Sequence, residues 1–132
     1  MTHTDEAPLT GFQQDIAAVP SSLVGVRLEL DRLLAGHLIP PARIADIRLA
    51  VTEACANAVI HAYPNGQAGT VHVTADLTQH TLVVGVRDYG SGLADPPSVG
   101  LGMPLMQTLA DSVSIHDADP GAAVQMVFQL EP

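Results

Sequence analysis

Three polar residues in one segment of the sequence have a spacing that suits shared chemistry. Glu53, Asn57 and His61 follow one another at intervals of four. Because an α-helix advances about 100° per residue, their side chains would lie along one stripe of a helix. A carboxylate can accept a proton from an attacking hydroxyl, and an amide oxygen is a neutral, hard ligand suited to Mg²⁺. The same spacing also fits a solvated helix edge with polar pairs one turn apart, and the residues alone leave that alternative open.

A second candidate group follows a predicted strand. Asp88 is followed by two glycines, Gly90 and Gly92. The strand would hold the carboxylate at a rigid end, and the glycines allow positive φ and a close approach of the backbone to a ligand. A carboxylate held in this way can accept a hydrogen bond from the exocyclic amine of adenine. Asp-x-Gly-x-Gly is also ordinary turn chemistry, so the motif by itself fits either interpretation.

A third group consists of Gly100, Leu101 and Gly102. It opens a predicted helix with Pro104 in the first turn, where free amides can face a phosphate. A simple loop-to-helix entry is the alternative. The glycine pattern is not a Rossmann fingerprint, because Asp95 occupies the third small position and the preceding strand belongs to a hairpin. Taken in order, the three groups indicate a site for a nucleotide with Mg²⁺.

Two amphipathic helices and a set of paired strands are predicted to position these groups. In the segments 22–36 and 41–63, apolar residues recur at spacings of three and four, and the polar stripe borders the apolar face of the second helix. The arrangement predicts an α+β fold: a two-layer α/β sandwich with a mostly antiparallel mixed sheet and helices on one face. The predicted strands are 9–17 (an edge strand), 70–77, 81–87, 113–116 and 122–130, with a short third helix from Met103.

The length and composition fit a single folded unit. The chain has 132 residues, of which 47% are apolar and 14% charged, enough for a real core. Residues 1–8 are polar and are expected to form a flexible N-terminus, and residues 9–132 a single domain. We find no signal peptide and no apolar run of membrane-span length, so the cytoplasm is the expected compartment.

The charged residues exclude several classes of protein. Five arginines and no lysine stand against fourteen carboxylates, for a net charge of -9. This balance leaves no basic face for nucleic acid. Without a lysine, the chain cannot be a Walker A nucleotidase, a protein kinase of the eukaryotic type or a Schiff-base enzyme. The one cysteine, Cys55, permits no internal disulfide and is predicted to be an unreactive thiol at the edge of the core.

These motifs together resemble a known family. The segment 49–63 (LAVTEACANAVIHAY) is similar to the N box of the Bergerat ATP-binding fold, 86–92 (VRDYGSG) to its G1 box and 100–105 (GLGMPL) to its G2 box. Gyrase, heat-shock chaperones and histidine kinases share this fold. The residues of the first motif and the length of the chain most resemble those of the bacterial anti-sigma factors that are also serine/threonine kinases.

The resemblance implies a role for each candidate residue. Glu53 would be the catalytic general base, Asn57 would bind the nucleotide and its Mg²⁺, and Asp88 would read adenine. His61 would either face the ATP site or simply finish the helix near its negative end. The remaining residues that would line the ATP site are Gly90, Gly92, Gly100, Leu101 and Gly102.

The resemblance also implies partners. A sigma factor would be sequestered, and an anti-anti-sigma protein would accept the phosphoryl group on a serine or threonine. Arg27 lies where relatives use an arginine at the partner surface. A second copy of the chain is a further candidate partner, whereas no direct contact with nucleic acid or membrane is implied.

The sequence departs from the family pattern in two places. Only seven residues separate Gly92 from Gly100, and no arginine occurs from residue 88 to 132, where six carboxylates fall. The phosphates would therefore rely on Mg²⁺ and helix-terminal amides, or on an arginine from elsewhere. A missing cation weakens phosphoryl transfer, so a non-catalytic ATP-dependent interaction module is the alternative function. At Gly121-Ala122 relatives often have Gly-Thr, which predicts looser selectivity for adenine.

Overall fold

The computed structural model describes residues 10–62, 68–90, 102–118 and 120–130. The strands are β1 (Thr10–Ala17), β2 (Thr70–Leu77), β3 (Thr81–Asp88), β4 (Ser112–Asp117) and β5 (Ala122–Gln129). The helices are α1 (Leu23–Leu34), α2 (Pro41–Ala62) and α3 (Gly102–Leu109), with a short 3₁₀ turn over Pro20–Ser22. The predicted flexible N-terminus, residues 1–8, lies outside the described residues.

The five strands form one sheet in the order β1-β2-β3-β5-β4, and each neighbouring pair is antiparallel. Two tight connections support this pairing. The N–H of Thr78 donates to the carbonyl of Thr81 (2.8 Å) between β2 and β3, and the N–H of Ala118 donates to the carbonyl of Gly121 (2.9 Å) between β4 and β5. β1 is an edge strand, as predicted, and β3 is central. The predicted α+β sandwich with a mostly antiparallel sheet is confirmed.

Regular alternation in β3 points an acidic residue toward the core. Its buried side chains are Leu82, Val84, Val86 and then Asp88. Because successive side chains of a strand point to opposite faces, the alternation places the last carboxylate where a hydrophobic side chain would otherwise pack. The strand was predicted to end at residue 87, whereas pairing between Val71 and Asp88 extends it by one residue.

Both long helices pack on the face of the sheet that carries these buried side chains. Each uses the apolar stripe that its sequence predicts, with Val26, Leu30 and Leu33 buried in α1 and Ile47, Ala50, Val51 and Ala54 buried in α2. Pro41 is the first residue of α2, where its missing N–H costs nothing. An ion pair between Asp31 and Arg48 (2.7 Å) joins the two helices. None of the helices in the described part of the chain combines the length and apolar character that a bilayer span needs.

Candidate functional site

Two of the predicted site residues, Glu53 and Asn57, lie one turn apart on α2. Both are partly buried, because their stripe borders the side on which α2 packs against β2, β3 and α3. The helix fixes the separation of the carboxylate and the amide, which is more precise than a loop would be. His61 also belongs to α2, and the two alternatives for its side chain stay open.

Two exposed aliphatic side chains lie on the same face of α2 as the partly buried Glu53. Leu49 lies one turn before Glu53 and is 45% exposed, and Ile60 lies seven residues after it and is 60% exposed. Positions separated by four and seven residues share a helix face, so Glu53 lies between two exposed aliphatic side chains. Within the described residues, no hydrogen bond or ion pair engages its carboxylate. No described neighbour therefore holds this carboxylate in one orientation.

Asp88 is the buried carboxylate of the candidate site, with 8% of its surface exposed at the end of β3. Its Oδ1 accepts hydrogen bonds from the backbone N–H groups of Gly90 (3.0 Å) and Ala122 (3.3 Å). Both of these bonds from described residues end on the same oxygen, so they fix the orientation of the carboxylate. Oδ2 is then the oxygen that can accept a hydrogen bond from a ligand.

The backbone beside Asp88 depends on Gly121. This residue has a φ of +94°, and a Cβ added to it would lie 2.0 Å from the carbonyl oxygen of Asp88 and 2.9 Å from its Oδ1. Any side chain at position 121 would therefore displace the carboxylate. In the sequence, Gly121-Ala122 departs from the family pattern because Ala122 lacks the threonine hydroxyl that relatives often have. In the structure Ala122 contributes through its backbone, since its N–H orients Asp88.

The glycine segments are described only at their ends. Gly90 donates to Asp88 as above, and Gly102 is the first residue of α3. The other three predicted members, Gly92, Gly100 and Leu101, lie outside the described residues, and their roles stay predictions. α2 carries Glu53 and Asn57 and packs on the strand that ends in Asp88, so the described part of the site is built on helix and sheet.

Four of the five arginines are engaged by acidic or aromatic groups among the described residues. The pairs are Arg32 with Glu29, Arg43 with Asp111, Arg48 with Asp31, and Arg87 with the ring of Tyr89. Arg27 is exposed on α1, the helix on which the resemblance implies a partner surface. Arg43 also pairs with Asp46 on the same helix (3.4 Å). Its contacts with Leu109, Asp111 and Gln129 had no signal in the sequence, because these partners lie far along the chain.

Cys55 is also on α2 but faces the core. It is fully buried, not at the core edge as predicted, and burial raises the pKa of its thiol to about 12. The thiol is therefore protonated at neutral pH and a poor nucleophile, as the sequence indicated.

Comparison with known proteins defines the class first. The family of histidine kinase-like ATPase domains matches residues 16–128. The structure of the RsbU and RsbW domains of Rv1364c from Mycobacterium tuberculosis has the same fold, with a TM-score of 0.74 and 24% sequence identity. The match covers 96% of this chain but only 34% of that one, so the chain spans about a third of that protein.

The sequence relatives are more specific. An anti-sigma F factor of Bacillus subtilis is 31% identical over 103 residues, which cover 66% of this chain and 70% of the relative. An anti-sigma F factor of Anoxybacillus flavithermus is 26% identical over 102 residues, with the same shares of 66% and 70%. The chain therefore belongs to the family of histidine kinase-like ATPase domains, among the anti-sigma factors of that family, and the resemblance noted in the sequence is confirmed.

Proposed function

We propose that the protein is an ATP-binding anti-sigma factor that phosphorylates a serine or threonine of an anti-anti-sigma protein and sequesters a sigma factor. The observation that carries the proposal is the buried carboxylate of Asp88, oriented through one oxygen by two backbone N–H groups. Its other oxygen would accept a hydrogen bond from the exocyclic amine of adenine. Gly121 supports this assignment, because its lack of a side chain keeps the carboxylate in place.

The phosphates would extend from Asp88 toward α2 and the start of α3. Asn57 would hold Mg²⁺ through its amide oxygen, and the bound ion would screen the phosphate charge. Among the described residues, no three His, Cys, Asp or Glu side chains gather into a metal site. The ion would therefore take phosphate oxygens and water as its other ligands, as Mg²⁺ usually does beside nucleotides. Gly90 and Gly92 would let the backbone pass close to the base, and backbone amides of residues 100–102 would hold the phosphates.

Glu53 would act as the general base. Its carboxylate would take the proton from the partner's hydroxyl as that oxygen bonds to the γ-phosphorus, while the bond to the β,γ-bridging oxygen breaks and ADP leaves. The exposed Leu49 and Ile60 on either side of Glu53 support a protein acceptor over water. Aliphatic side chains beside a reacting group favour contact with another protein surface.

The partners follow from the relatives, which are anti-sigma F factors by name. We assign the exposed Arg27 to the surface that a sigma factor and its antagonist share. A second copy of the chain is a further proposed partner.

The decisive experiment measures transfer and binding separately. The purified protein is mixed with Mg-ATP and, in turn, each anti-anti-sigma protein of the source organism, and phosphoserine and phosphothreonine are quantified. Glu53→Gln keeps the shape of the side chain but removes the base, so transfer should fall by about 10²-fold or more. ATP binding, measured by calorimetry, should be unchanged.

The matched control is Asp88→Asn, which should lose ATP binding and transfer together. A Glu53→Gln protein that transfers phosphate at the wild-type rate would remove Glu53 from the mechanism. A wild-type protein that binds no adenine nucleotide would remove the whole proposal.

The second candidate function is a non-catalytic module whose partner binding depends on ATP. The observation in its favour is the absence of any arginine or lysine from residue 88 to 132. A phosphoryl group in transfer requires charge stabilisation, which this part of the chain does not offer from a side chain. This function predicts ATP-sensitive binding of the partner with no phosphorylated product, so detection of that product would exclude it.

A further inference from the structure

The guanidinium of Arg43 joins three elements that lie far apart in the sequence. Arg43 is in the first turn of α2, and its Nε donates to the carbonyl of Gln129 at the end of β5 (2.9 Å). Its Nη1 donates to the carbonyl of Leu109 at the end of α3 (2.9 Å). Its Nη2 pairs with the carboxylate of Asp111, which also accepts the N–H of Gln129 (2.7 Å). We call these four residues the Arg43 clamp.

The clamp requires the shape of a guanidinium as well as its charge. Its three nitrogens donate to four acceptors: the carbonyls of Gln129 and Leu109, the carboxylate of Asp111 and, at 3.4 Å on the same helix, the carboxylate of Asp46. Its Cζ lies 5.6 Å from the centre of the Phe128 ring. Only 20% of the Arg43 side chain is exposed. A lysine would bring one compact charge that could not reach these acceptors and stack on the ring at once. The carbonyl of Leu109 lies at the negative end of α3 and has no helical partner of its own, so a cation is favoured there.

The position of α3 depends on such contacts. A helix of eight residues, about 12 Å long, is not stable by itself in water. Its described anchors include the fully buried Met106, the partly buried Leu109, the buried Ala110 just beyond its end and the Arg43 clamp. The N–H of Asp111 also donates to the carbonyl of Val127 (2.8 Å). Because two turns of helix move as a rigid piece, a fixed C-terminal end also fixes the N-terminal end at Gly102. That end is where the proposed function places the phosphates.

We infer that Arg43 is a positioning residue for the triphosphate and acts through α3. The inference rests on the proposed function and extends it to a residue outside the nucleotide site. Arg43 holds the end of α3 that is opposite the phosphates, so it does not touch them. The clamp would hold the N-terminal end of α3 where its backbone amides can face the phosphates. The residues that orient Asp88, which are Gly90, Gly121 and Ala122, do not belong to the clamp, so recognition of adenine should not depend on Arg43.

The test compares one nucleotide that extends to α3 with one that does not. Mg-ATP binding is measured by calorimetry, and AMP binding by competition against a fluorescent adenine nucleotide. In Arg43→Lys the dissociation constant for Mg-ATP should rise at least about tenfold, the effect of one misplaced hydrogen bond to a charged group. The constant for AMP should stay the same. Asp111→Asn, which keeps an acceptor but removes the ion pair, should change the ratio of the two constants in the same direction by a smaller factor.

The matched control is Arg48→Lys, because Arg48 is on the same helix but pairs with Asp31 on α1. It should leave both dissociation constants unchanged. If Arg43→Lys and Asp111→Asn only lower the melting temperature and bind Mg-ATP like the wild type, Arg43 is purely structural and the inference is overturned. Equal losses for ATP and AMP would overturn it too. A wild-type protein that binds neither nucleotide would instead overturn the proposed function.

Discussion

The two carboxylates of the candidate site have opposite surroundings. Asp88 ends the central strand, is 8% exposed and has one oxygen held by two backbone N–H groups. Glu53 lies on a helix face between the exposed Leu49 and Ile60, and the described residues donate no hydrogen bond to it. The proposed recognition of adenine therefore uses a carboxylate that the fold already holds in place. The proposed phosphoryl transfer instead uses a carboxylate on a surface that a second protein would cover.

This difference shows how a small domain separates binding from transfer. A preorganised acceptor gains affinity because little ordering remains when the ligand arrives. A general base on an apolar face gains its reactive geometry only when a partner covers it and excludes water. Variants near Asp88 should therefore impair ATP binding, whereas variants near Glu53 should impair the reaction with the partner protein.

The largest effect is expected at Gly121. In Gly121→Ala the new Cβ meets the backbone of Asp88 at 2.0 Å in a residue with a φ of +94°, so the turn must move. We expect a loss of at least about 2 kcal/mol in the free energy of unfolding, together with loss of ATP binding. Urea unfolding and calorimetry measure the two effects.

Gly36→Ala is the control for this prediction. Gly36 also has a positive φ, +84°, but nothing lies within 4 Å of an added Cβ. It should therefore cost only the backbone strain, about 1 kcal/mol, and leave ATP binding intact. Equal losses of stability and of ATP binding in the two variants would show that the contact between position 121 and Asp88 has no importance.

An intermediate effect is expected on the face around Glu53. Leu49→Asp and Ile60→Asp place a charge where we expect the antagonist to dock. The KM for the antagonist protein should rise about tenfold, the usual scale for disturbing one interface contact, while the affinity for ATP stays the same. Leu38→Asp is the control, since Leu38 is fully exposed at 103% and lies outside α2. Steady-state phosphorylation assays at saturating ATP give the values, and an unchanged KM would place the docking surface elsewhere.

The smallest effect concerns Cys55, which lies two residues after Glu53 but on the core side of α2. Because burial raises the pKa of this thiol from 9.0 to about 12, the folded state favours the neutral form. This contribution to stability is fully present below about pH 9 and is lost as the pH rises toward 12. Urea midpoints between pH 8 and pH 10.5 should fall more steeply for the wild type than for Cys55→Ala, and equal slopes would contradict the burial argument.

Elements could be predicted from the sequence where the spacing of residues along the chain sets their positions. The four-residue spacing on α2 predicted the helix that carries Glu53 and Asn57, and the fold class followed from similar patterns. Asp88 was predicted to follow β3 directly, whereas it is the last residue of that strand. The Arg43 clamp could not be predicted, because its acceptors Leu109, Asp111 and Gln129 lie 66, 68 and 86 residues along the chain. The need for glycine at position 121 was equally hidden, since it arises from contact with another strand.

The central place of β3 has a consequence for how the protein would lose function on warming. Both of its neighbours, β2 and β5, must separate before the strand that ends in Asp88 can open. Local fluctuations at the sheet edges leave this strand intact, so its amide protons should exchange with solvent only through global unfolding. The end of the molecule where we propose that adenine is recognised would then unfold last, and nucleotide affinity would persist up to the melting transition itself.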